Sequence, residues 1–300
     1  MTQQSGPVLV ASDFSDSAVE ALRQGGARAQ VTGARLLMVH VVHLPAPIHP
    51  VFPHLSQRDT EREVSLGRDL CERLVELARE HTDLDPDRVD VEVDFSDVPY
   101  ATIVAKAERC GARLIVVGHK GHTGLRRMLL GSVAERIVRS AHCPVLVTRP
   151  HPSTGKVLVA TDLSDPALGA LEYAAREHRA LGQRLVVLHN IEVPGGFLST
   201  LGPLGPVPYH PTQETLDQVK EAANQLLRDQ LARFGAEGET LVTAEAATDE
   251  VILRHAEEHD VEAIVIGSHG RTGIARISVG SVANSILQHA HCSVLAVQMR

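Results

Sequence analysis

Three hundred residues, 43% hydrophobic and 22% charged, give a chain long enough for two ordinary folded domains and too apolar to be disordered. A formal charge of -8, from 37 acids against 29 bases, lacks the cationic surplus that a nucleic-acid backbone requires, and three Tyr, five Phe and no Trp leave few platforms for stacking bases. No apolar run nears the ~18 residues of a membrane span. Residues 1–7 lack a basic start followed by an apolar stretch, and Cys71, Cys110, Cys143 and Cys292 show no C-x-x-C spacing. The expectation is a reduced, cytoplasmic protein with neither nucleic acid nor membrane as partner.

In chain order, Val8 to Ser12 is a short β-branched apolar run that leads into Asp13, Ser15 and Asp16, residues suited to a helix start. Leu36 to Val42, Val91 to Phe95, Leu114 to Val117 and Val145 to Val147 are four further strand-like runs, separated by segments of helical length. Strands that alternate with helices imply a parallel sheet covered on both faces. Gly25-Gly26 falls inside the first helix, where each glycine costs about 1 kcal/mol against alanine, so that helix is expected to bend or to pack closely on the sheet.

Shifted by 149 residues, the chain matches itself. Pro7 to Leu22 meets Lys156 to Leu171 with ten identities in sixteen positions, and Gly111 to Thr148 meets Asp260 to Val297 with seventeen in thirty-eight. A period this long marks a duplicated domain, since solenoid units recur every 20–50 residues or so. The boundaries read as domain 1 over 1–149, a Pro/Ser/Gly linker over 150–155 and domain 2 over 156–300. The second set of strands is expected at Val157 to Ala160, Leu185 to Leu188, Glu239 to Glu245, Ala263 to Ile266 and Val294 to Val297. Each copy also has a long Pro-containing connection, His43 to Ser56 and Glu192 to Gln213, open to reading as a ligand lid or as a surface excursion.

After the fourth strand the first copy reads Gly118-His119-Lys120-Gly121, nine residues, then Gly131-Ser132 and Val133. The second reads Gly267-Ser268-His269-Gly270, nine residues, then Gly280-Ser281 and Val282. Ligands of open parallel sheets lie beyond the carboxyl ends of the strands, where both glycine loops fall. Glycines let backbone N–H groups converge on phosphate oxygens, and the following helix start favours an anion. Arg126, Arg127 and Arg276 in the intervening loops can add charge. Glycines that merely make turns would not explain a Gly-Ser helix start twice.

The pattern G-x2-G-x9-G-(S/T), between an apolar strand and a helix, together with the opening V-L-V-A-S-D-F-S and V-L-V-A-T-D-L-S, resembles the ATP-binding subgroup of the universal stress protein family, over nearly the whole chain. The resemblance implies an α/β fold of two tandem, doubly wound, five-stranded parallel sheets, Rossmann-like and of the adenine nucleotide alpha hydrolase type. It implies that Asp13 and Asp162 hold the adenosine end, with Ala11, Ser12, Ala160 and Thr161 beside them, and that Val41 lines the adenine pocket. Gly118, His119, Gly121, Gly131, Ser132 and Val133, and in the second copy Gly267, Ser268, Gly270, Gly280, Ser281 and Val282, would meet ribose and phosphates. Asn190 aligns with Val41 and puts an amide where the family has an apolar residue, which predicts a weaker second site. The resemblance further implies that fifth strands pair edge to edge, within one chain or in a homodimer.

Asp13 and Asp162 also read as plain helix-start acids. Mg²⁺ is implied by the nucleotide alone, since it keeps several waters and needs no signature. Seventeen histidines, among them His40, His43, His49 and His54, match no closed zinc spacing, so no dedicated metal site is expected. His142-Cys143 and His291-Cys292 precede strands and read as packing. His119, His122 and His269 could orient a water near the terminal phosphate but do not recur at one place in the two loops, and no P-loop or nucleophile-elbow motif is present, so no catalytic residue is assigned and turnover is expected to be slow or absent. The leading expectation is an ATP-binding stress-response regulator. A nucleotide-hydrolysing or nucleotidyl-transferring enzyme, and a nucleotide-independent binding module, are the alternatives.

Overall fold

The computed structural model describes residues 6–44, 60–121, 130–192, 197–199, 207–209, 212–268 and 279–298. The chain divides into two compact units, residues 1–150 and 151–299. In the first, β1 (Val8–Ala11), α1 (Asp16–Thr32), β2 (Leu36–His43), α2 (Thr60–His81), β3 (Val89–Ser96), α3 (Pro99–Arg109), β4 (Leu114–Gly118), α4 (Ser132–Ser140) and β5 (Val145–Thr148) follow one another. The strands lie in the order β3-β2-β1-β4-β5, and every pairing within the unit is parallel. The helix α1 packs on β1 and β4 and α2 on β3, while α3 packs on β2 and against α4. This is the expected doubly wound sheet.

Burial explains why these runs became strands. Val8, Leu9, Val10, Ile115, Val116, Val145 and Leu146 are at most 1% exposed, as strands covered by helices on both faces must be. The glycine pair in α1 packs closely. A Cβ on Gly25 would lie 2.6 Å from Val10 Cγ2, and one on Gly26 2.7 Å from Thr82 Cγ2. The second unit has Ala174 and Ala175 at these places, both buried, so its helix accommodates a methyl where the first has none.

The second unit repeats the order as β6 (Lys156–Ala160), α5 (Asp165–Leu181), β7 (Arg184–Asn190), a hairpin of β8 (Phe197–Ser199) and β9 (Val207–Tyr209), α6 (Gln213–Arg233), β10 (Gly238–Thr243), α7 (Thr248–Glu258), β11 (Ala263–Gly267), α8 (Ser281–His289) and β12 (Ser293–Val297). Its parallel strands run β10-β7-β6-β11-β12. The short antiparallel hairpin lies within the second long connection, which the sequence pattern did not resolve into elements. Residues 153–155, read as linker, are tied to this unit: Thr154 Oγ1 donates to Asp260 O at 2.7 Å, and Glu262 Oε2 accepts from Ser153 Oγ and Gly155 N. Among the described residues no helix is long and apolar enough to cross a membrane.

In each unit the chain winds outward through the second and third strands, then returns to place the fourth strand on the other side of the first. The carboxyl ends of β1 and β4, and of β6 and β11, therefore flank the switch point where such sheets form a crevice.

Candidate nucleotide site

The turn that leaves β1 is built from its own side chains. Ser12 Oγ accepts from Phe14 N at 3.2 Å, Asp13 Oδ1 accepts from Ser15 N at 3.0 Å, and Ser15 Oγ accepts from Ala18 N, capping α1. These bonds hold Phe14 at φ 64°, a left-handed conformation that costs a non-glycine residue about 1–2 kcal/mol. The second unit does the same. Thr161 Oγ1 accepts from Leu163 N at 3.0 Å, Asp162 Oδ1 accepts from Ser164 N at 3.0 Å, and Leu163 has φ 63°. The same strained turn is thus held by the same kinds of bond in both copies.

The fourth strand meets this turn. A Cβ on Gly118 would lie 2.7 Å from the Ser17 carbonyl carbon and oxygen, so β4 ends against the first turn of α1. One on Gly121 would lie 2.6 Å from Asp13 Oδ2, which puts the aspartate carboxylate on the glycine-loop backbone. The base of the loop is closed by Gly131 N donating to His119 O at 2.8 Å, and in the second unit by Gly280 N donating to Ser268 O at 3.1 Å. Gly131 and Gly280 are the N-caps of α4 and α8, and neither has a side-chain cap. The first N–H groups of both helices have no capping side chain among the described residues, and Ser132 and Ser281 are exposed at the start.

In the first unit, then, Ala11, Ser12, Asp13, Gly118, His119, Gly121, Gly131, Ser132 and Val133 come together at the switch point, with Val41 at the carboxyl end of the neighbouring β2. In the second, Ala160, Thr161, Asp162, Gly267, Ser268, Gly280, Ser281 and Val282 take the same places. Gly270 lies outside the described residues, as do Arg126, Arg127, Arg276, His49 and His54.

The Asn190 amide is fully engaged within its own unit. Its Oδ1 accepts from Glu245 N at 3.0 Å and from Thr243 Oγ1 at 2.8 Å, while its Nδ2 donates to Glu245 O at 3.0 Å and to Thr248 Oγ1 at 2.8 Å. Both donors and both acceptor positions of the amide are used. In the first unit the β2–β3 ladder runs on to His43 opposite Ser96, whereas β10 ends at Thr243 and the Asn190 side chain pairs with the Glu245 backbone in its stead. Opposite Val41 the first unit has Asp94, held with Glu92 by the buried Lys106.

His119 has a structural bond of its own. Its Nδ1 lies 3.1 Å from Thr148 O, which can only accept, so this nitrogen carries the proton. Burial, followed by the positive charges of Arg149 and Lys120, lowers its pKa to about 4. The unfolded chain takes up a proton near the ordinary histidine value and the folded chain does not. His119 therefore contributes stability above about pH 6.5 that is lost as pH falls toward 4. Replacing it with Ser, the residue of the second unit, is expected to flatten the fall in urea midpoint between pH 7 and pH 4.5. An unchanged pH dependence would show that His119 protonates freely in the folded protein.

Sequence reasoning missed a repeated pair of histidines. His40 Nδ1 lies 2.7 Å from Ser12 O and His189 Nδ1 lies 2.8 Å from Thr161 O. The signal was present, since these residues are also 149 apart, inside Leu-Leu-Met-Val-His and Leu-Val-Val-Leu-His. In the first unit His40 also packs at a tilt against Phe14, with ring centroids 4.7 Å apart, and Arg73 lies over the same ring.

The model of the Universal stress protein family matches residues 5–149 and 154–298. The chain belongs to the universal stress protein family. A universal stress protein of Mycobacterium tuberculosis is 28% identical over 306 aligned positions, covering 97% of this chain and 96% of that protein. The crystal structure of a universal stress protein from Archaeoglobus fulgidus is 20% identical and superposes with a TM-score of 0.69 over 99% of both chains, a likeness of fold. An Archaeoglobus fulgidus universal stress protein in complex with dAMP is 27% identical, covering 47% of this chain and 96% of that one, with a TM-score of 0.35. This universal stress protein thus carries two copies of the family's domain in tandem.

Proposed function

We propose that each unit of this universal stress protein binds one ATP at its switch point, and that the nucleotide state sets the protein's shape or partners in a cytoplasmic stress response. The observation that carries the reading is the strained turn after the first strand, which in the first unit meets the glycine loop through Asp13 and Gly121 and in both units accompanies a glycine N-cap at the fourth helix. A Cβ on Gly131 would find its nearest atom 3.4 Å away at His119 O, and one on Gly280 4.0 Å away at Ser268 O. Among the described residues, the atoms nearest each helix start are therefore main chain, as suits a phosphate cradle.

In this reading the loop N–H groups, Ser132 and Ser281 would hold the phosphates, and Mg²⁺ bound with the nucleotide would supply neutralising charge there. Asp13, whose Oδ1 is fixed by Ser15 and whose Oδ2 lies on Gly121, and Asp162, fixed by Ser164, hold the adenosine end. Hydrolysis is slow or absent. The second unit has Ser268 in the place of His119, and Asp13 and Asp162 are held by Ser15 N and Ser164 N at the adenosine end, so among the described residues no base recurs at the phosphate end. The Asn190 amide is spent on Thr243, Glu245 and Thr248 and is not left unpaired to oppose a base, which supports occupancy of the second site as well. The fifth strands, β5 and β12, are the edge strands of their own units and are rich in Val and Leu. We infer that they pair with one another, in one chain or between copies, because such edges need cover. The reading is tested by the number of ATP molecules bound per chain.

A further inference from the structure

In a parallel ladder the N–H and C=O of one residue face the same neighbouring strand, and residues two apart share that side. Val39 O accepts from Ser12 N at 2.9 Å, so Val39 and Val41 both turn their main-chain groups toward β1. The next donor for Ser12 O in a continuing ladder would be the Val41 N–H. Among the described hydrogen bonds, the His40 imidazole supplies that donor instead. The second unit repeats the substitution: Thr161 N donates to Leu188 O at 3.0 Å, and the His189 imidazole takes Thr161 O, where a ladder would use Asn190 N–H.

The side chain thus ends the ladder in place of the backbone. A carbonyl only accepts, so Nδ1 is the protonated nitrogen in both rings. Two effects follow. The peptide that leads into Asp13 or Asp162 is pinned from both ends by the second strand. No described hydrogen bond takes the main-chain N–H and C=O of Val41 or Asn190 on this side, and they face past the end of the first strand, a donor beside an acceptor.

We propose that His40 and His189 are positioning residues that hold this main-chain edge open for the donor and acceptor atoms of a purine base. The inference rests on the nucleotide reading above and specifies how the base end of that site is made. Without the imidazole, the Val41 N–H swings onto Ser12 O and the base loses its partner, while the glycine loop and its phosphate contacts stay as they are.

The test compares a His40→Leu, His189→Leu double variant with His40→Asn, His189→Asn, since the Asn amide can place a donor near the Nδ1 position. ATP and inorganic tripolyphosphate are titrated into each by calorimetry. The Leu variant is expected to bind ATP about tenfold more weakly, the scale of one lost hydrogen bond that orders the site, with tripolyphosphate affinity unchanged. The Asn variant is expected to bind ATP within about threefold of the parent. Equal ATP affinity in the Leu variant and the parent, equal losses of ATP and tripolyphosphate, or equal losses in the Leu and Asn variants would each overturn the positioning role while leaving the site itself standing. A parent protein that binds no ATP at all would overturn the nucleotide reading instead. Should the Leu pair not fold, His40→Leu alone is titrated, and two classes of ATP site, one weakened and one not, are the expected result. A single unweakened class would contradict it.

Discussion

Asn190→Val is expected to destabilise the second unit by about 2–4 kcal/mol, although it restores the residue type of the first. The substitution strands four groups at once, the N–H and C=O of Glu245 and the hydroxyls of Thr243 and Thr248. A buried polar group left unpaired costs about 1–3 kcal/mol, and these are only partly buried, so water recovers some of that loss. The gain in strand preference from valine is below about 1 kcal/mol and does not reverse the sign. Urea unfolding of the variant against the parent gives the answer. A loss under about 0.5 kcal/mol would mean that water satisfies the network and the amide is dispensable.

Gly118→Ala is expected to cost about 1–3 kcal/mol in the first unit and to weaken its nucleotide site. The added methyl would lie 2.7 Å from the carbonyl carbon and oxygen of Ser17. Main-chain atoms cannot rotate away as a side chain can, so the first turn of α1 must lift. That turn carries the Ser15 cap and, through it, the Asp13 turn. Gly131→Ala is the control, because its methyl has 3.4 Å to the nearest atom and φ is -64°, where alanine is unstrained. Thermal unfolding of the two variants should separate them clearly. Equal stability would contradict the close approach of β4 to α1.

Much of this architecture was legible because parallel strands buried on both faces must be continuous apolar runs, and Val8 to Val10, Leu114 to Val117 and Val157 to Val159 read as nothing else. The third strand of the second unit was harder. Gly238, Glu239 and Thr240 carry no apolar signal, and the strand stops at Thr243 because a side chain, not a pattern, ends it. The two glycine loops were legible from their spacing, since helix starts and close approaches demand glycine at fixed places.

What lay hidden was direction. Phe14 and Leu163 are not residues that favour positive φ, and only the bonds from Ser12, Asp13, Thr161 and Asp162 put them there. Asn190 was read as a polar wall of a pocket, because its identity was visible and its four partners were not. His40 and His189 were lost among seventeen histidines until the register of β1 against β2 placed each beside the carbonyl it binds.

If both glycine loops hold ATP, the number of ATP molecules bound per chain at saturation follows. The parent should bind about two, Gly131→Val or Gly280→Val about one, and the double variant none, because a branched side chain at the helix start fills the space a phosphate needs. Both positions have backbone angles valine tolerates, with φ of -64° and -58°, so loss of folding would not explain the loss of binding. A parent that binds no ATP, or a double variant that still binds two, would contradict the account.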